Sequence, residues 1–276
     1  MERAAKAAGL SVDQLTSYRQ RGHLLLRGFL DAQWLSRLRP EIVNAFERHR
    51  PDTSAITRPR TAYERAFTQV VNMGLTEPAV RELTWSAKLG AAAAALMGTQ
   101  GARIFIEDAM FKEAGGGRTP WHQDGSSLPF EPKHMVTAWI PLVPVDAATG
   151  LLRFVTGSHE LGLLGPVDIS ESTDAMFEAI IRERQLPIED SAPMQPGDVS
   201  FHAGTTIHCA FPNTSQHTRE LLAIHYFADG VCIGALDNPT RERLARHCAP
   251  QLVPGDSAVA DAWPRVYPAE EDAHAD

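Results

Sequence analysis

The sequence predicts a mainly β core flanked by helices, and three observations carry that prediction. Before about residue 100, apolar residues fall on helical stripes behind capping residues. From Ala102 onward they come in short, strand-length blocks. Turn-forming stretches, Ala114 to Gly117 and Pro196-Gly197-Asp198, separate those blocks.

The elements follow in order. Ser11 with Gln14 three residues on is a capping box, opening a short helix that ends near Gly22. His23 to Leu30 reads as a strand. Asp31 caps a second helix with Trp34, Leu35, Leu38, Ile42, Val43 and Phe46 on one stripe, and Pro40 is expected to kink it. Arg58 to Met73 lacks periodicity and is dense in arginine, threonine and aromatics, so Arg58, Arg60 and Arg65 are candidates for a substrate-covering lid. Thr76 with Pro78 marks a helix start, and a further helix covers Ser86 to Met97. Strands are expected over Ala102 to Lys112, Met135 to Val145, Leu151 to Val155 and Asp198 to His202, with a hairpin around Pro212. Glu160 to Pro193 interrupts them with mixed helical and irregular sequence, the kind of insertion that carries specificity on a rigid scaffold. A last helix is expected over Thr240 to His247, before an acidic, frayed end at Glu270 to Asp272.

Composition narrows the function classes. The chain has 276 residues, 43% of them apolar, enough for one sizeable core. A formal net charge of −8 with no basic run argues against a nucleic-acid partner, whose binding rests on clustered Lys and Arg. Cys209, Cys232 and Cys248 are odd in number and lack CxxC spacing, so they indicate neither a disulfide framework nor a zinc ribbon. The first ten residues lack the apolar core of a signal peptide, and the longest apolar run, Ala91 to Met97, is too short to span a bilayer. The expectation is a cytoplasmic protein with no membrane partner.

Chemistry concentrates at His122-Gln123-Asp124, followed by His208 and Arg219. Residues i and i+2 of a strand share a face, so His122 and Asp124 can chelate one ion. His208 completes a two-histidine, one-carboxylate triad that leaves one side of a metal open, as non-haem Fe(II) oxygenases require. His202 competes for that third position. If the hairpin turns between Asn213 and Thr214, Arg219 faces His208 across it and projects into the same cavity. A guanidinium beside a metal forks onto a carboxylate through paired hydrogen bonds. His159 in Gly157-Ser158-His159 reads as structural, and His134, His217 and His225 as ordinary surface or core residues.

Trp121 to Gly125, Met135 to Leu142, Gly157 to His159, and Pro196 to Asp198 through Arg219 together resemble the phytanoyl-CoA dioxygenase (PhyH) family, over about Phe111 to Phe227. The resemblance implies a double-stranded β-helix (jelly roll, cupin-like), Fe(II), 2-oxoglutarate as co-substrate and O2. Length allows one domain or two, but nothing between Gly101 and Gly230 reads as a linker, so one domain is expected over 1–276: a helical N-terminal part to about 100, a barrel over about 101–230 and a C-terminal tail over 231–276. Carried over, His122, Asp124 and His208 are the catalytic iron ligands, Arg219 clamps the distal carboxylate of 2-oxoglutarate, and Thr137 is a second contact to it. Many relatives have serine two residues after the distal histidine. Ala210 stands there, so one hydrogen bond must come from elsewhere.

The activity implied is hydroxylation, or a related oxidation, of an unactivated C–H bond in a small or mid-sized metabolite, with release of succinate and CO2. Trp139, Lys112 and Arg153 are candidates for the substrate pocket. Oligomeric state is left open. A metal-dependent hydrolase or isomerase is the alternative, since His-Asp-His also suits zinc, but it leaves Arg219 without a purpose. A non-catalytic binding protein is the other. Halogenation is disfavoured because Asp124 fills the position a halide would need.

Overall fold

Helix caps and strand alternation build the elements that the composition allows. The computed structural model describes residues 2–52, 60–130, 134–165 and 169–268. Its helices are α1 (Glu2–Ala8), α2 (Val12–Arg21), α3 (Ala32–His49), α4 (Ala62–Ala66), α5 (Pro78–Thr84), α6 (Ala87–Met97), α7 (Glu171–Glu183) and α8 (Pro239–Cys248). Its strands are β1 (His23–Leu26), β2 (Thr68–Val71), β3 (Ala102–Phe111), β4 (Thr119–His122), β5 (Met135–Pro141) and β6 (Leu152–Val155). They continue with β7 (Ile188–Asp190), β8 (Val199–Ala203), β9 (His208–Ala210), β10 (Leu221–Ala228) and β11 (Arg265–Tyr267).

The expected caps are present. Ser11 and Gln14 bond each other's backbone reciprocally at the start of α2, and Gly22 ends that helix in the left-handed conformation. A side chain there would meet the His159 ring. The Asp31 carboxylate accepts from the Gln33 and Trp34 amides. α3 continues through Pro40, where a kink was expected. Two strands are shorter than expected: β1 stops at Leu26 and β5 at Pro141.

A seven-stranded antiparallel sheet runs β1-β8-β5-β10-β3-β11, with β2 added on β3; a four-stranded sheet runs β4-β9-β6-β7. Alternation along the large sheet divides its side chains. Val136, Ala138 and Ile140 of β5, with Leu222, Ile224 and Tyr226 of β10, join the core under the helices. α6 lies on that face, its run Ala91 to Leu96 fully buried. The alternate residues, Thr137 and Trp139 of β5 and Ala223 and His225 of β10, line a cavity on the other face. The smaller sheet supplies His122, Leu152, His208 and Ala210 to the same cavity. These are the curled antiparallel sheets of a jelly roll with flanking helices, as expected.

The expected hairpin is a correction. β9 pairs with β4 and β6, whereas β10 pairs with β3 and β5, so the Pro212 turn crosses between sheets. Arg219 bridges to Lys112, not to His208. The physical reason is that both edges of β9 and both edges of β10 are already occupied. The tail is ordered through its own aromatic cluster: Trp263 packs against Phe105, Phe130 and Phe227, all buried. The acidic end at 270–272 lies outside the described residues.

Candidate functional site

His122 and His208 are direct cross-strand partners on β4 and β9, and their ring centroids lie 4.1 Å apart. β4 ends at His122. Gln123 stays extended (φ −123°, ψ 124°), so Asp124 still returns to the His122 face, although it begins a short 3-10 turn. The Gln123 amide holds that turn by donating to Gly162 O (3.0 Å) and Thr205 O (2.5 Å) and accepting from the Leu164 amide. Asp174 of α7 bonds the Trp121 amide at 2.7 Å and Arg118 at 2.5 Å, so the inserted segment braces the strand that carries His122.

The donor atoms converge. Asp124 Oδ1 lies 3.5 Å from His122 Nε2 and 3.6 Å from His208 Nε2. Each ring donates its other nitrogen to a carbonyl two residues back, His122 Nδ1 to Pro120 O (2.8 Å) and His208 Nδ1 to Thr206 O (3.1 Å). Those bonds fix the tautomer and leave both Nε2 lone pairs aimed at the carboxylate. Ligand atoms of the three residues all lie within 4.8 Å of one another, which suits one divalent ion. Burial pushes the pKa of His122 down to about 3 and that of His208 to about 4, so both are neutral at neutral pH, the form that could ligate a metal. Burial opposes ionisation of Asp124, but the facing His208, His202 and His225 outweigh it and hold its pKa well below the usual range.

Asp124 Oδ2 is occupied on its other side. Thr137 Oγ1 donates to it at 2.6 Å and His202 Nε2 at 2.9 Å. His202 therefore lies behind the carboxylate, outside the converging set. The Thr137 hydroxyl, expected on the co-substrate, is committed to Asp124. His225, expected to be ordinary, bridges Thr137 Oγ1 (Nδ1, 3.0 Å) and the Asp108 carboxylate (Nε2, 3.0 Å). Burial lowers its pKa, yet Asp108 and Asp124 together leave it raised. Its signal was available: it lies an even number of residues after Arg219, which bridges to Lys112 just before β10, and both side chains take the cavity face.

Arg219 is 1% exposed and lines the cavity. One guanidinium nitrogen donates to Gly150 O at 2.7 Å, its Nε has no partner among the described residues, and the group lies 5.2 Å over the Trp139 ring. It makes no ion pair among the described residues, and burial lowers its pKa to about 9, still charged at neutral pH. Gly150 has φ +101°, and a Cβ there would come 2.6 Å from Phe211 O.

Two pocket candidates are corrected. Lys112 is buried behind Arg219, its ammonium donating to Gly117 O (2.6 Å), Phe211 O (3.0 Å) and Thr119 Oγ1 (3.4 Å). Burial and the Arg219 charge lower its pKa to about 6, against which those three acceptors favour the protonated form. Arg153 pairs with Asp190 at 2.5 Å and stacks over Phe211, on the outer surface. Both were pulled away because backbone carbonyls or a carboxylate offered them partners. Trp139 does line the cavity. Its volume is about 850 Å³, and Thr61, Tyr63, Phe67 and Gln69 wall it from the expected lid segment. Arg65 turns away to Glu171, Arg60 bonds Glu64 O, and Arg58 lies outside the described residues. His159 bonds Arg19 O at 3.0 Å, as expected of a structural histidine, and Cys209 packs with Trp121, Val155 and Phe177. No helix among the described residues is long and apolar enough to cross a membrane.

Known proteins share this architecture. The chain is 30% identical over 237 residues to the methylphosphonate hydroxylase of Gimesia maris, covering 79% of this chain and 81% of that one. It is 33% identical over 107 residues to the 1-deoxypentalenic acid 11-beta-hydroxylase of Streptomyces exfoliatus, about a third of each chain (36%). The non-heme α-ketoglutarate-dependent carbocyclase SnoK from nogalamycin biosynthesis has the same fold, with a TM-score of 0.75 at 24% identity over 94% of this chain and 97% of that one. Residues 18–221 match the phytanoyl-CoA dioxygenase (PhyH) family, and the chain belongs to that family of Fe(II)/2-oxoglutarate-dependent dioxygenases.

Proposed function

We propose that the protein oxidises an unactivated C–H bond of a small or mid-sized metabolite, by hydroxylation or a related oxidation, with release of succinate and CO2. The observation that carries this reading is Arg219, a buried guanidinium with no anion among the described residues, in the same cavity as His122, Asp124 and His208. A buried charge is expensive unless paired, so a dicarboxylate co-substrate supplies what the fold leaves out.

The residues fit the groups. His122 Nε2, Asp124 Oδ1 and His208 Nε2 would hold Fe(II), which with 2-oxoglutarate and O2 supplies the oxidising chemistry. Arg219 would clamp the distal carboxylate. Thr119 is the cross-strand partner of Ala210 and lines the cavity, so its hydroxyl is the replacement for the serine absent at position 210. Thr137, His202 and His225 fix the Asp124 carboxylate from behind. Tyr63, Phe67, Phe105 and Leu128 line the substrate side and exclude water around the reacting carbon. The cavity lies toward the upper end of the roughly 300–1,000 Å³ typical of small-molecule sites, more room than a one-carbon phosphonate needs.

The test is anaerobic addition of Fe(II) and 2-oxoglutarate. A weak visible charge-transfer band and saturable calorimetric binding are expected; absence of both overturns the reading. Measured 2-oxoglutarate turnover separates it from a hydrolase on the same barrel.

A further inference from the structure

The C-terminal helix α8 lies beyond residue 221, where the family match ends, yet it forms part of the cavity wall. Its inner anchor is Arg241, which is 7% exposed. Arg241 donates to Ser126 O (Nε, 3.1 Å) and Gly125 O (3.2 Å) and pairs with Asp237 at 3.0 Å. Asn238, which caps the helix, also reaches Ser126 O at 3.3 Å. α8 is thus fastened to the turn that begins at Asp124, and Leu244 and Cys248 pack it against the Trp263 cluster.

That fastening puts Arg243 and His247, one helical turn apart on one face, on the lining of the cavity. Arg243 has no hydrogen bond or ion pair among the described residues. The acidic groups of the substrate side are engaged elsewhere: Asp108 accepts from His225 and Gln69, and Glu64 caps α4 through the Thr61 amide. The rest of that wall is aromatic and aliphatic, with Tyr63, Phe67, Phe105, Ile106 and Leu128. The exposed Arg243 guanidinium at the rim of an apolar chamber suits an acid with an apolar body, since guanidinium matches oxyanions bidentately.

We propose that α8 is the substrate-recognition element, and that Arg243, with His247 beside it, binds an oxyanion of the substrate. The oxyanion is a carboxylate or phosphonate, and its capture at the rim directs the C–H bond toward the triad. This rests on the assignment of the triad and Arg219 to iron and 2-oxoglutarate.

The experiment uses the full chain, loaded anaerobically with Fe(II) and saturated with 2-oxoglutarate. Methylphosphonate, 1-deoxypentalenic acid and the neutral methyl ester of the latter are titrated in, read by calorimetry and by change in the charge-transfer band. At least one acid should bind and perturb the band. Binding of the terpenoid acid, at least tenfold tighter than its ester, supports an oxyanion carried on an apolar body; binding of methylphosphonate alone overturns the apolar-body selection. Arg243→Gln should weaken the bound acid about tenfold or more, about 1.4 kcal/mol. Arg243→Lys should recover part of that loss, and 2-oxoglutarate affinity should be unchanged in both. Failure of the band to form before any acid is added counts against the iron and 2-oxoglutarate assignment. A normal band with neither acid binding, or acid binding unchanged in Arg243→Gln, overturns the oxyanion assignment.

Discussion

Replacing Arg219 with methionine should move stability and co-substrate binding in opposite directions. The guanidinium is almost wholly buried, bonded to Gly150 O and stacked on Trp139, with no anion among the described residues. Replacing a whole buried ion pair by apolar groups is often neutral or stabilising by about 1–4 kcal/mol, and removing a buried charge that has no partner is favourable on the same desolvation ground. The orphaned Gly150 carbonyl returns about 1 kcal/mol or more of that gain. The iron-free variant should therefore unfold at a denaturant midpoint equal to or above that of the native chain. Binding should suffer. Truncating one side of a buried charge pair costs about 2–5 kcal/mol, or roughly thirty-fold or more in 2-oxoglutarate affinity. The native chain at a hundred times its dissociation constant gains about 2.7 kcal/mol from the ligand, and the variant should lose most of that increment. Arg219→Lys should recover only part, because an ammonium lacks the fork. Denaturant titration with and without 2-oxoglutarate, and calorimetry of both variants, read both quantities. Unchanged 2-oxoglutarate affinity in a folded Arg219→Met protein refutes the reasoning, and another cation then holds the distal carboxylate.

Further outcomes follow from the same geometry. His122→Ala, Asp124→Ala and His208→Ala should each abolish turnover and stoichiometric iron binding, whereas His202→Ala should keep iron at about 10–100-fold lower affinity; equilibrium iron titration decides, and loss of iron only in the His202 variant would reverse the assignment. Thr119→Val should weaken 2-oxoglutarate by about 0.5–1.5 kcal/mol without altering iron affinity, measured by calorimetry. Gly150→Ala forces a side chain into φ +101° against Phe211 O, so it should destabilise by about 1–3 kcal/mol and also weaken 2-oxoglutarate through displaced Arg219; a native midpoint would show that the loop yields. The pKa values of His122 and His208 are lowered in the folded chain, so the unfolded chain takes up their protons first as pH falls below about 6.5. Stability of the iron-free protein should fall with pH, by about 2 kcal/mol per histidine at pH 5, and urea titrations at pH 7 and 5 should show less loss in His122→Gln.

Much of the site was legible because it depends on local rules. Two-residue alternation put His122 and Asp124 on one face, and even the break of the strand at Asp124 left that face intact because Gln123 stays extended. Caps at Ser11 and Asp31 are short-range hydrogen bonds, readable from a few residues. The turn around Pro212 was legible as a turn but not as a crossing. Whether two apolar runs joined by a turn pair with each other depends on which other edges compete for them, and that competition involves strands a hundred residues away. Arg219 reached the cavity all the same, from its bridge to Lys112 just before β10 and not by pairing with His208.

By itself, then, the order of residues determined the element types, the clustering of His122, Asp124 and His208, and the family, because each rests on spacing within a few residues or on a pattern of motifs. Only the tertiary structure decided who faces whom. It set Thr137, His202 and His225 behind Asp124, sank Lys112 among three oxygens, turned Arg153 outward to Asp190, and brought α8 to the cavity. Long polar side chains go where burial and partners are settled together, and those partners come from segments far apart in the chain. Their identities are written in the sequence, but their encounters are fixed only when the two sheets close around one cavity.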